Sequence, residues 1–236
     1  MKIGNTDVAL YNAKQFNFRY EHMEMKNNNS EWADGASIPY FARNHPGFIS
    51  FTVTLDVKGH DREEIRDCCS DILSMLTGPV ELELDGFTNK FTAILTGHSE
   101  DERSLRFYHL LKLTFQGYEH GMPSLIYGDS LVIVNNPGNI VSPGRITITP
   151  SANAASITLT GICRDSRSGT YMPVIIQSVT NGKVIILDGI DGLITEDGNI
   201  KEVNMWTLPT FMPGSNIVTC SNSNMALKIE TLPIYV

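Results

Sequence analysis

Four small groups of residues have the types and spacing for chemistry. Glu81, Glu83 and Asp85 alternate along one stretch. Paired carboxylates are what a glycoside hydrolase needs, one as acid and one as base or nucleophile. At period two they share a strand face, which is also how an ordinary solvated face reads. Asp188, Asp191 and Asp197 in DGIDGLITEDGN offer oxygen ligands to calcium. They lack the DxDxDG order of a calcium loop, and successive β-turns account for the Asp and Gly residues. His22, His45, His60 and His109 carry metal-ligating rings, but none has a clear second ligand two to four residues on along a common face. His109 falls on the apolar side of its strand, where a hydrogen-bonded core histidine is expected. Trp206, in MWTLPTFMPG, could with Tyr171 or Phe211 form a platform for a sugar ring. The competing reading has these rings plug the end of a β-sandwich. P-loop, GxSxG, HExxH and CxxC patterns are missing, so no catalytic residue, cofactor or metal is expected and the chain reads as a non-enzyme.

The elements that would hold these residues are mostly strands. Gln15 to Met25 alternates Phe16, Phe18, Tyr20 and His22 against Asn17, Arg19 and Glu21. Phe48 to Val57 (FISFTVTLDV) is the strongest strand signal, with Ile49, Phe51, Val53, Leu55 and Val57 on one face. One helix is expected from Asp61 to Leu76. Wound at about 100° per residue, Cys68, Ile72, Ile65, Leu76, Cys69 and Leu73 fall within roughly 140°. Asp61 and Glu64 have the spacing of a capping box, and Gly78-Pro79 stops the helix. Burying that face is worth at most about 10 kcal/mol, so packing rather than propensity decides whether the helix forms. Strands follow at Val80 to Asp85, Phe91 to Thr96 and Leu105 to Phe115, with Ser99 to Arg103 (SEDER) as a charged connection.

Between the first strands, residues 26–47 form a long stretch without a clean period that carries Trp32, Ile38, Tyr40 and Phe41. It is either a hairpin folded over its own core or an arm packing on a neighbouring subunit, because its apolar residues need cover. Past Gly121 short apolar runs recur at near-regular spacing, separated by NNPGN, SPG, SGT, NG and MPGSN. That is the pattern of an antiparallel β-sandwich, with Asn181-Gly182 as its best two-residue hairpin.

At 236 residues and net charge −8, the chain has room for two domains and argues against general nucleic-acid binding. Residues 1–120 carry a net charge of −6 and the remainder −2, and all six His lie in the first part. The composition shift places a boundary near 125, giving domains 1–125 and 126–236. No apolar run reaches 18 residues and the start has no apolar signal-peptide core, so neither a membrane span nor secretion is expected. All four Cys are expected to be reduced.

The order of these stretches resembles the distal tail (Dit) proteins of siphophages and prophages. The likeness rests on strand, helix and strand from Phe48 to Leu84, then VNNPGNIVSPGRITITP, ASITLTG, VIILDG and LPTFMPGSNIV in that order. The resemblance implies a mainly β fold: an N-terminal tail-tube-like β-sandwich with one packed α-helix, and a C-terminal galectin-like antiparallel β-sandwich. It implies a structural tail-tip or baseplate hub, a homo-hexamer ring around a channel through which DNA passes. Its partners would be the tail tube protein, the tape-measure protein, the tail-associated protein and, in many members, receptor-binding proteins. The place is the virion tail tip, after assembly in the host bacterial cytoplasm. The resemblance favours the arm reading of Trp32, Ile38, Tyr40 and Phe41, as an oligomer interface. A carbohydrate-binding module contacting host cell wall through Trp206 is the alternative function.

Overall fold

The structure, a computed structural model, describes residues 1–21, 25–27, 44–102, 107–165 and 168–235. Two compact units emerge, Met1–Glu119 and His120–Tyr235.

The first unit contains β1 (Lys2–Ile3), β2 (Thr6–Asp7), a 3-10 turn (Val8–Tyr11), β3 (Ala13–Glu21), β4 (Met25–Asn27), β5 (Asn44–Pro46), β6 (Ile49–Lys58), α1 (Arg62–Ser74), β7 (Val80–Glu83), β8 (Lys90–Glu102) and β9 (Tyr108–His120). One sheet runs in the order β2-β1-β7-β8-β9-β6-β3, and β4 pairs with β5 apart from it. In β6 the five alternating apolar residues from Ile49 to Val57 are all buried. That periodicity fixes which face of the sheet is core. The helix starts as its capping signal dictates. Glu64 N–H donates to Asp61 Oδ1 at 2.9 Å, and His60 N–H donates to Glu64 Oε2 at 2.7 Å. Ile65, Cys69, Ile72 and Leu76 bury one face in the core, with Cys68 and Leu73 at its margin.

Strand β3 departs from simple alternation. Gln15 pairs with Leu55 and Asn17 with Thr54, so Phe16 is the extra residue of a bulge and is 58% exposed. The bulge turns Gln15 toward the end of β7, where its amide accepts from Asp85 N–H (2.9 Å) and donates to Asp85 O (3.2 Å). It also leaves Phe18 on the core side, 4.7 Å from Phe87 and 5.9 Å from Phe91 between ring centroids. One end of the sheet thus folds back over the other, and both layers of the sandwich come from one sheet. The charged stretch from Ser99 to Glu102 belongs to strand β8 rather than to a connection. Its Asp101 pairs with Lys112 of β9 at 2.6 Å, so the charges act as a cross-strand pair.

The second unit contains β10 (Ser124–Gly128), β11 (Leu131–Asn136), β12 (Ser142–Pro150), β13 (Ala154–Arg164), β14 (Tyr171–Val179), β15 (Ile185–Asp188), β16 (Ile194–Glu196), β17 (Asn199–Ile200), β18 (Thr210–Phe211), β19 (Gly214–Cys220), β20 (Met225–Thr231) and β21 (Ile234–Tyr235). Two antiparallel sheets, β10-β20-β12-β15-β16-β17 and β11-β19-β13-β14, face each other. Val132, Leu159, Ile176 and Val218 from one sheet and Ile146, Ile185, Leu227 and Ile229 from the other make a single buried core. Asn181-Gly182 does not close a hairpin. Strand β14 pairs with β13 and β15 with β12, so this turn crosses between sheets. Only Gly182 has positive φ there, whereas a type I′ turn needs two such residues. The two-residue hairpin is instead Asp197-Gly198, with φ of 47° and 80°, joining β16 to β17. Gly161, at φ +85° in the β13 bulge, backs directly onto Ile217 O, which leaves no room for a Cβ.

Candidate functional site

The carboxylates that looked most like an acid–base pair are held by lysines. Lys90 Nζ lies 2.6 Å from Glu81 and 3.0 Å from Glu83, and Lys2 Nζ lies 2.8 Å from Glu83. Hydrogen bonds from Lys2 and Lys90 hold the Glu83 carboxyl below its ordinary range. A general acid needs the reverse shift, so this row is a cross-strand ion-pair ladder on β1, β7 and β8.

Asp188 and Asp191 are also committed. Asp188 Oδ1 accepts from Ile190 N–H and Asp191 N–H, closing a turn, while Oδ2 accepts from Arg145 Nε at 2.5 Å. Arg145 reaches Asp191 at 2.6 Å and Glu230 at 3.6 Å. Asp197 accepts Val184 N–H, just ahead of β15. No group of three or more His, Cys, Asp or Glu suited to a metal stands among the described residues. Burial pushes the Asp188 carboxyl up, but the Asp191 amide, Arg145 and the Ile190 amide outweigh it and hold it below the usual range. A carboxyl lowered in the folded state contributes stability above its unfolded value, near 3.9, that is lost as pH falls through the folded one. Urea melts of the second unit should therefore weaken as pH drops below about 4, and Asp188→Asn should flatten part of that slope.

The histidine expected to be hydrogen-bonded in the core is not. Both ring nitrogens of His109 are buried without a hydrogen-bond partner among the described residues. His109 sits opposite Val57 on the core side of β9. His60 is exposed beside the helix start; the rings of His22 and His45 lie outside the described side chains.

The three aromatic residues of the expected sugar platform differ in burial. Phe211 is fully buried in the second core, as the plug reading has it, whereas Trp206 is 67% exposed and Tyr171 40%. The backbone around Trp206 is pinned on both sides. Asn204 exchanges two backbone hydrogen bonds with Ile175 at 3.0 and 3.1 Å, and Thr207 N–H donates to the Cys163 sulfur at 3.1 Å. Cys163 is free, like the other three cysteines, and its buried sulfur anchors this strap. Nothing in the spacing of Cys163 and Thr207 announces that contact. Trp206→Ala should leave unfolding free energy within about 0.5 kcal/mol of the parent chain in urea titrations, since the ring is mostly in solvent.

Trp32, Ile38, Tyr40 and Phe41 lie outside the described residues. Pairing of Met25–Asn27 with Asn44–Pro46 is what the structure describes around that stretch. On the first unit's sheet β3 is an edge nine residues long, while the opposite edge, β2, has two. Among the described residues no strand but β6 pairs with β3, and an edge of this length can take another strand. No helix among the described residues is long and apolar enough to cross a membrane.

No sequence-family model matches the chain, and no curated protein matches it in sequence. Solved structures do match. The crystal structure of the Dit protein of SPP1, described as a paradigm of the hub adsorption apparatus in Gram-positive-infecting phages, superposes with a TM-score of 0.75. The match covers 99% of this chain and 98% of that one at 11% identity. A chain of the phage p2 baseplate in its activated conformation matches with a TM-score of 0.50 at 11% identity, covering 96% of this chain and 92% of that one. The chain thus has the mostly β fold of a Dit protein along nearly its whole length.

Proposed function

We propose that this chain is a non-enzymatic structural component of a phage tail tip, a hub of the Dit kind. The observation that carries the reading is the likeness to SPP1 Dit over 99% of the chain. The neutralised carboxylates of β7 and the self-satisfied Asp188 turn fit a scaffold rather than a catalyst. In this reading Met1–Glu119 repeats around an axis as a closed hexameric ring through a head-to-tail interface. The β3 side of the sheet and the arm residues Trp32, Ile38, Tyr40 and Phe41 take part in it. The ring continues the tail tube, meets the tape-measure and tail-associated proteins, and carries receptor-binding proteins on its periphery. It forms in the cytoplasm of the host bacterium before joining the virion. Mass photometry across a concentration series, with negative-stain imaging, tests the ring. Six-fold closed particles are expected. A chain that stays monomeric at every concentration, alone and with tail tube protein, would overturn it.

A second reading concerns Trp206. Its exposed indole on a strap fixed at Asn204 and Thr207 is a rigid apolar plate of the kind that stacks on a sugar ring. Purified host cell-wall polysaccharide should bind the parent chain and bind Trp206→Ala at least tenfold more weakly. Equal binding by both removes the reading.

A further inference from the structure

Strand β14 ends its sheet, and no charge protects it. Its nine residues, YMPVIIQSV, hold no Lys, Arg, Asp or Glu. Val174, Ile175 and Ile176 follow one another in it. An uncharged β-branched run on an open edge is a template for another strand of the same kind. In an antiparallel ladder the N–H and C=O of one residue point to the same side, and successive residues alternate. Ile175 turns both groups away from β13, toward Asn204, so Tyr171, Pro173 and Gln177 face that way too.

Three features close this edge. Pro173 has no N–H to offer. At Ile175 the edge is already paired, with Asn204, at 3.0 and 3.1 Å, and among the described residues the strap meets β14 in that single bridge. At Ser178 a φ of +53° bends the chain out of the extended path, and Lys201 Nζ donates to its carbonyl at 3.4 Å. The strap is held from its inner side as well. Val203 and Met205 pack against the second core, Lys201 Nζ donates to Glu196 at 2.8 Å, and Thr207 is fixed to Cys163.

We propose that residues 201–207 are an autoinhibitory guard that keeps the β14 edge from pairing with β14 of a second copy of this chain. Two such edges meeting antiparallel about a two-fold axis place Ile175 opposite Ile175 and Pro173 opposite Gln177. Both sides are the same uncharged strand, so no like charges oppose each other. Another polypeptide would need an edge matched to this one, whereas a second copy brings it by symmetry. The centre of that pairing is Ile175, and Asn204 occupies it. The guard acts on any two copies and does not depend on the tail-tip reading. It matters most where copies are tethered side by side, since effective concentrations then reach about the millimolar range.

Benzoylphenylalanine at Gln177, an exposed position on that edge, reports the pairing in the full chain. Isotopically heavy and light chains are mixed and irradiated, and cross-linked peptides are sequenced. Asn204→Pro removes the N–H that Ile175 O accepts and releases the strap. The expected result is a heavy-to-light cross-link from position 177 into residues 171–179, at least tenfold above the parent. Adding Ile175→Lys sets two ammonium groups opposite each other and should return the yield to the parent level. Val203→Ser with Met205→Ser loosens the strap from its inner side and should cross-link likewise. A parent chain that cross-links as strongly as the released variants overturns the guard, as does a folded release variant without this cross-link. Loss of the native near-ultraviolet circular dichroism in both release variants also overturns it, because the strap is then part of the core rather than a cover.

Discussion

Ile72→Asp should abolish folding of the first unit. Ile72 is fully buried on the inner face of α1, in a core shared with Phe51, Leu55 and Leu111. Removing its side chain costs about 2–5 kcal/mol on its own. Putting an ionisable group there without a partner adds several more. Together these approach the whole stability of an ordinary domain. Amide exchange followed by mass spectrometry should show β6 and β9 exchanging at the rate of an unfolded chain. Glu63→Ala is the control on the same helix. Its carboxylate is exposed and reaches Arg66 only at 3.5 Å, so protection should be unchanged in the isolated chain. Native-like protection in Ile72→Asp would mean that α1 does not complete the core.

Asn136→Ala should be the most costly single polar truncation in the second unit. Asn136 is 1% exposed and uses every part of its amide. Its Nδ2 donates to Ile140 O at 3.2 Å and Phe211 O at 3.1 Å, and its Oδ1 accepts Gly138 N–H at 2.9 Å. Truncation leaves a buried N–H and two carbonyls unpaired, at roughly 3 kcal/mol in all. Gly138 belongs to the same construction, because a Cβ there would lie 2.6 Å from Ile234 O. Urea denaturation monitored by tyrosine fluorescence should show the lower midpoint, with Asn135→Ala, on the exposed side of the strand, close to the parent. A change below about 0.5 kcal/mol in Asn136→Ala would remove the asparagine from this role.

What the sequence revealed follows from periodicity. Strand β6 and helix α1 were legible because burial on one face repeats every two or every 3.6 residues, and the Asp61–Glu64 cap has a fixed local spacing. What stayed hidden depends on contacts distant in the chain. The β3 bulge answers to Asp85, 70 residues away, so alternation alone put Phe16 on the wrong side. Asn181-Gly182 has hairpin chemistry, but a turn's own residues do not say whether the strands it joins pair or part between two sheets. NNPGN read as a turn, while the stabilising part of it is one buried asparagine reaching Phe211, 75 residues on. His109 shows the opposite limit: its place on the core face was legible, its lack of a partner was not. As for candidate surfaces, exposure of Trp206 turned on the Cys163 anchor across 44 residues. The uncharged run of β14 was in plain view as composition but needed the sheet order to become an edge.

The claim that this chain is a tail-tip component is tested most directly by locating it in the virion. Phage particles purified from the host would be labelled with gold-conjugated antibody against the exposed Asp197-Gly198 hairpin and viewed by electron microscopy. Label confined to the distal end of the tail is the result expected here. Label along the tube or on the capsid, or particles that carry none while the purified chain is labelled normally, would contradict it.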